Sequence, residues 1–206
     1  EQAVRDIITS AFQSAGQRCS ALRVLYLQEE AAERTIEMLK GAMDELAPGD
    51  PWTLANDIGP VIDEPARAKI QAHIDSYTAA GKLIHHLKAP EGGTFVGPTV
   101  LRASGIAELA EEIFGPVVVA LPYDDIEEVA RRANDSAYGL AASIWSNDLS
   151  RVHRLIPRIK AGSVWVNCHN MLDPTMPFGG YKMSGFGRDM GRDSLNAYLE
   201  TKSVVM

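Results

Sequence analysis

Apolar positions recur along this chain in two rhythms, one helical and one extended. Val4, Ile7, Ile8 and Ala11 share one face at helical spacing, so residues 1–8 read as helix. Residues 21–28 form a nearly continuous apolar run, the pattern of a mostly buried strand. Residues 29–46 return to helical spacing with a charged outer face and stop at Pro48-Gly49-Asp50-Pro51. Gly59-Pro60-Val61-Ile62-Asp63 makes a turn, and residues 64–80 form a further helix with Gly81 suited to the position just past its end. A short strand at 82–87 and an extended segment at 94–102, around Pro98, follow.

The second half alternates regularly: strand 117–121, helix 124–134, strand 140–145, helix 147–156, strand 163–167. Strands separated by helices of this length require right-handed crossovers, which predicts an α/β fold with helices covering both faces of a mostly parallel sheet. Residues 168–188, rich in Gly, Pro, Met and Phe, read as a long ordered loop, and such length without regular structure points to function. A short helix at 192–197 and a final strand at 198–205 complete the expectation. The resulting division is a main domain over 1–190 and a terminal helix and strand over 191–206.

Composition narrows the function classes. At 206 residues the chain can bury a sizeable core. A formal net charge of -7, with no basic run longer than a pair, argues against nucleic-acid or anionic-membrane surfaces. No apolar stretch is long enough to span a bilayer. Two cysteines far apart in sequence suggest no disulfide framework and fit a reducing, cytoplasmic setting. The chain opens inside a helix with no capping residue before it, so it is expected to be a piece of something longer.

The chemistry gathers at Cys19. It stands beside Arg18 where the first helix gives way to the first strand, and thiols become nucleophiles as thiolates, which nearby positive charge favours. The competing reading is a small buried hydrophobe. Arg18 either acts on Cys19 or points outward to a carboxylate. Glu111 and Glu112 read by themselves as solvated charges, and Phe114 as core. Cys168 reads as structural, with His169 its only close co-ligand, and His85-His86 as a strand-end pair. Neither makes a metal site. Gly179-Gly180 lies too late in the chain, in a loop, to cradle a phosphate.

Three ordered motifs resemble the aldehyde dehydrogenase superfamily: Ala-Gly-Gln-Arg-Cys-Ser over 15–20, Glu-Glu-Ile-Phe-Gly-Pro-Val over 111–117, and Pro-Phe-Gly-Gly-Tyr-Lys-Met-Ser-Gly over 177–185. The resemblance implies the three-layer α/β/α catalytic domain of that family, without its Rossmann-like cofactor domain. It implies that Cys19 attacks an aldehyde to give a thiohemiacetal, and that the thioester left by hydride transfer to NAD or NADP is hydrolysed. Glu112 would bind the nicotinamide ribose and Phe114 would pack near the ring. Phe178 would stand near the active-site mouth, with core or loop packing the alternative. An asparagine donor, a glutamate base and the dinucleotide-binding domain belong upstream.

Within the family the resemblance divides. Residues 11–27 and the turn 59–63 look like the pyrroline-5-carboxylate dehydrogenase branch, whose serine after the nucleophile, here Ser20, helps hold a substrate carboxylate. The loop 167–176 lacks that branch's glycine-rich anchor. Its Met171, Leu172 and Met176 would make an apolar wall, and Asp173 would repel a carboxylate, as suits aromatic or aliphatic aldehydes. Residues 198–205 resemble the family strand that pairs across a subunit interface, which implies a homo-oligomer. A non-catalytic module of the same fold and a residual thiol esterase are the competing functions.

Overall fold

The computed structural model describes residues 1–109 and 111–206, which form two compact units, Glu1–Arg132 and Ala133–Met206. The first unit opens with helix α1 (Gln2–Phe12), strand β1 (Val24–Gln28) and helix α2 (Glu29–Asp44). Helix α3 (Glu64–Ala79), strands β2 (Leu83–His86), β3 (Thr99–Arg102) and β4 (Val117–Tyr123), and helix α4 (Ile126–Asn134) follow. Strand β1 begins later than its apolar run. The amide of Leu22 is held by the buried Ser10, through its hydroxyl at 2.9 Å and its carbonyl at 3.4 Å, and the first bond to β4 comes only at the Arg23 carbonyl, which accepts from the Val119 amide at 2.9 Å.

The sheet of this unit runs β1-β4-β3-β2, with β1, β4 and β3 parallel and β2 antiparallel at the edge. Its central strand β4 is buried from Val117 to Leu121, which is why its sequence is continuously apolar instead of alternating. Helix α2 turns Ile36, Leu39 and Met43 inward, one helical stripe. Helix α3 is bounded as its sequence requires. Asp63 accepts from the Ala66 amide at 2.8 Å, a cap typically worth about 1 kcal/mol, and Gly81 takes a φ of +69° just past the end.

The second unit carries β5 (Tyr138–Gly139), β6 (Ala141–Ile144), α5 (Leu149–Leu155), β7 (Ser163–Val166) and β8 (Tyr181–Lys182). Strands β6 and β7 pair in parallel, and β5 and β8 antiparallel. The fold is mixed α/β with a mostly parallel sheet, as the alternation predicts.

Two readings depart from expectation: the short strand β8 lies within the stretch read as a loop, and the chain end differs. Residues 192–198 form a 3-10 helix, and residues 199–206 form no strand. A strand exists only in a ladder, and none of the described strands pairs with this segment, so its alternating pattern leaves Val204 and Val205 exposed.

Candidate active site

After Phe12 the chain leaves α1 through a 3-10 turn in which Ser14, Ala15 and Gly16 take φ values of 56°, 52° and 65°. Left-handed backbone is disfavoured for residues with a Cβ, and only the third of these is glycine. A Cβ at Gly16 would run into the Gly115 carbonyl oxygen. The reversal delivers a tight turn in which the Ala21 amide donates to the Arg18 carbonyl at 3.1 Å, with Cys19 and Ser20 at its tip. Cys19 is exposed and Ser20 half-buried. Exposure removes the reading of Cys19 as a buried hydrophobe.

Arg18 does not reach a carboxylate. Its Nη2 donates to the Thr9 carbonyl at 3.1 Å, in the last turn of α1, where a cation meets the negative end of the helix. The residue that faces the site is Arg23. Its Nε donates to Glu112 Oε1 at 3.0 Å, Nη1 to the Gly115 carbonyl at 3.0 Å, and Nη2 to the carbonyls of Gly16 at 2.6 Å and Arg18 at 3.1 Å. Its guanidinium carbon lies 4.9 Å from the centre of the Phe114 ring. Burial lowers the Arg23 pKa, against the opposing pull of Glu112, its hydrogen-bonded carboxylate.

The neighbouring glutamates separate cleanly. Glu111 pairs with Lys69 at 2.7 Å, which holds its carboxyl below the usual carboxylate range, and it is a surface charge as its sequence context suggests. Glu112 turns to Arg23 instead, and Phe114 stays exposed at 40% rather than joining the core. Gln17 ties the two turns further. Its Oε1 accepts from the Ile62 amide at 2.9 Å and its Nε2 donates to the Phe114 carbonyl at 3.5 Å.

Cys19, Ser20, Glu112 and Phe114 all lie in the first unit, whereas Phe178 belongs to the second. There it is half-buried and paired with Asp189 by two backbone hydrogen bonds of 2.8 Å. Asn167, at a φ of 53°, braces the loop that follows by bonding both backbone groups of Ser146, at 2.9 and 3.0 Å. Met171, Leu172, Asp173 and Met176 are exposed. His169 meets the Ser143 hydroxyl at 2.9 Å and the edge of Trp165. Among the described residues no cluster of His, Cys, Asp or Glu could hold a metal ion.

Sequence reading passed over Arg23 and Gln17. The available signal was a lone charge at the entry of an apolar run, because an arginine drawn into such a run must be paired.

A model of the aldehyde dehydrogenase family matches residues 1–204. Phenylacetaldehyde dehydrogenase of Pseudomonas fluorescens is 37% identical over all of this chain and 42% of its own length. The bifunctional protein PutA of Escherichia coli is 39% identical over 93% of this chain and 15% of its own. Betaine aldehyde dehydrogenase of Staphylococcus aureus, solved in complex with NAD+, superposes with a TM-score of 0.91 at 32% identity, covering 98% of this chain and 42% of that one. The chain therefore spans less than half the length of these relatives.

Proposed function

The chain belongs to the aldehyde dehydrogenase family, and from that premise we propose that it carries the nucleophilic part of an NAD(P)-dependent aldehyde dehydrogenase, with Cys19 as the nucleophile. One observation carries this reading: the exposed thiol sits at the tip of a turn whose carbonyls are gripped by a charged guanidinium. Cys19 Sγ adds to the aldehyde carbon, the C–S bond forms, and the oxygen takes up negative charge. The Cys19 amide would donate to that oxygen. After oxidation, water cleaves the C–S bond of the thioester and returns the thiol with the carboxylic acid.

Glu112 and Phe114 have the chemistry a nicotinamide riboside needs. A carboxylate whose side chain remains 31% exposed can accept from ribose hydroxyls, and beside it Phe114 offers an exposed aromatic ring. Glu112 and Phe114 would therefore hold the nicotinamide riboside. When bound, that group supplies the hydride acceptor.

Two substrate classes remain in contention. Ser20, half-buried at the turn, would donate to the carboxylate of glutamate γ-semialdehyde, whereas the exposed Met171, Leu172 and Met176, with Asp173, suit an aromatic or aliphatic aldehyde. Phe178 is proposed, within its own unit, as a substrate-contacting aromatic. Residues 191–206 are proposed as a contact with a second copy, distinct from a main domain over 1–190, and both cysteines are free, as a reducing compartment would keep them.

A second activity follows from the same exposure. Acyl transfer to Cys19 needs no hydride acceptor, so hydrolysis of an activated ester would persist in this chain alone. The test is mass spectrometry of the Cys19 peptide after exposure to an activated aryl ester. An acyl adduct on Cys19, absent from Cys19→Ala with its melting temperature unchanged, is the expected result. Acylation that continues in Cys19→Ala overturns the assignment.

A further inference from the structure

The Cys19 turn and the turn preceding β4 meet backbone to backbone, and that geometry poses a problem. The residues in contact are Gly16 and Gly115, and a side chain at Gly16 would strike the Gly115 carbonyl. Two glycines have no side chains with which to lock one turn against the other. The contacts that set their register must come from elsewhere: Gln17 gives one long bond, to the Phe114 carbonyl at 3.5 Å, and Arg23 gives the shorter ones.

We infer that Arg23 is the positioning residue that locks the nucleophile turn to the Glu112–Gly115 turn, so that the Cys19 thiol and the Glu112 carboxylate are held in one frame. This rests on the reading of Cys19 and Glu112 as site residues. A guanidinium has five N–H donors in a planar fork. Four hydrogen bonds leave it here, two to carbonyls just before Cys19, of Gly16 and Arg18, and two to the opposite turn. The partners on the opposite turn lie 89 and 92 residues away in sequence. The contact with Phe114 adds a stacking face, so the plane of the fork is fixed as well as its reach. Only 17% of the side chain is exposed, which limits competition from water.

The geometry makes Arg23 more than a source of charge. A lysine could place a positive charge in the same space, but its ammonium is a point with three donors and cannot span acceptors on both turns in one plane. Only the 3.5 Å Gln17 bond would then join the turns, and displacement of a reacting group by about 1 Å can cost about a hundredfold in rate. Arg23 touches neither substrate nor reacting atoms. It acts through the two turns.

The test compares iodoacetamide labelling of Cys19 with that of Cys168 in the purified chain, resolved by peptide mass spectrometry. Cys168 lies in the other unit and serves as the internal reference. Arg23→Gln is expected to lower the Cys19-to-Cys168 ratio about tenfold, the scale of a lost charged hydrogen bond. Arg23→Lys keeps the charge and should still leave the ratio about threefold low. Hydrogen exchange should rise together at residues 16–20 and at Gly115 in both variants, with β4 unchanged. A ratio or exchange pattern unaltered by Arg23→Lys overturns the inference, as do equal changes at both cysteines. If Arg23→Gln does not fold, the lysine variant decides by itself. Failure of the underlying reading looks different: Cys19 would label no faster than Cys168 in the unaltered chain.

Discussion

The Cys19 turn and the stretch 168–206 both leave regular structure for many residues, yet they are held in contrasting ways. The first lies against the large apolar cluster that runs from Val4 to Leu121. It is gripped by a largely buried guanidinium and closed by the Ser10–Leu22 bond. The second relies on exposed hydrogen bonds, some local, such as Phe178 with Asp189 at 2.8 Å and Arg188 to the Gly180 carbonyl at 3.0 Å. Others reach back to residues 134–139, such as Lys182 Nζ to the Asn134 carbonyl at 2.7 Å and Met183 to the Ala137 carbonyl at 3.0 Å. Its large apolar side chains face outward, Phe186, Val205 and Met206 almost completely. A loop can be ordered by burying its polar anchors or by many exposed hydrogen bonds, and here only the first way also fixes a charge against the carbonyls that lead into a cysteine.

Substitutions should separate the two regions, beginning with the core beneath the first. Leu101 is fully buried on β3, and Leu101→Ala should cost about 3 kcal/mol in urea unfolding through lost burial and a cavity. Leu199→Ala, at 70% exposure, should change stability by less than about 0.5 kcal/mol. Similar values for both would erase the distinction.

Next in size is Gly16→Ala. It places a Cβ on a left-handed residue and against the Gly115 carbonyl, so a loss of about 2 kcal/mol is expected together with slower labelling of Cys19. Full stability in that variant would show that the two turns are free to separate.

The smallest effect is a pH dependence at the edge strand β2 of the first unit. The His86 Nδ1 lies 2.8 Å from the Thr99 hydroxyl, which donates to the Gly97 carbonyl at 2.7 Å and so must accept from the ring. Burial first, and the neighbouring His85 second, hold the His86 pKa below its ordinary value of 6.5. The folded state favours the neutral ring and the unfolded chain takes up the proton first. Stability is therefore unpenalised above pH 6.5 and falls as the pH drops below that value towards the lower folded pKa. His86→Gln should flatten that part of the stability profile in thermal melts between about pH 7.5 and pH 5.5. An unchanged slope would remove His86 as its source.

The pattern of apolar positions is enough to read α2, α3 and β4, because each is decided by local signals: Ile36, Leu39 and Met43 on one stripe, the cap Asp63 before Glu64, and an unbroken run from Val117 to Leu121. The motif around Cys19 and the order of the three motifs made the family legible as well. Local spacing failed at the chain end, where 198–205 alternates like a strand. An alternating pattern states what a strand would bury and leaves open whether a neighbour exists to pair with it.

Within the site, chain order determined that a thiol, a hydroxyl and two glutamates would be available near glycine-containing turns. It did not tell Glu111 from Glu112, adjacent in sequence and alike in chemistry. Tertiary structure made that choice by placing Lys69 against one and Arg23 against the other. It also exchanged the roles of the arginines, sending Arg18 to the end of α1 and bringing Arg23 to the Gly16 and Arg18 carbonyls just before Cys19. The physical reason is reach. Periodicity and caps act over a few residues, whereas the contacts that give this site its charge join positions about ninety residues apart, and such contacts exist only once the sheet has brought β1 and β4 side by side.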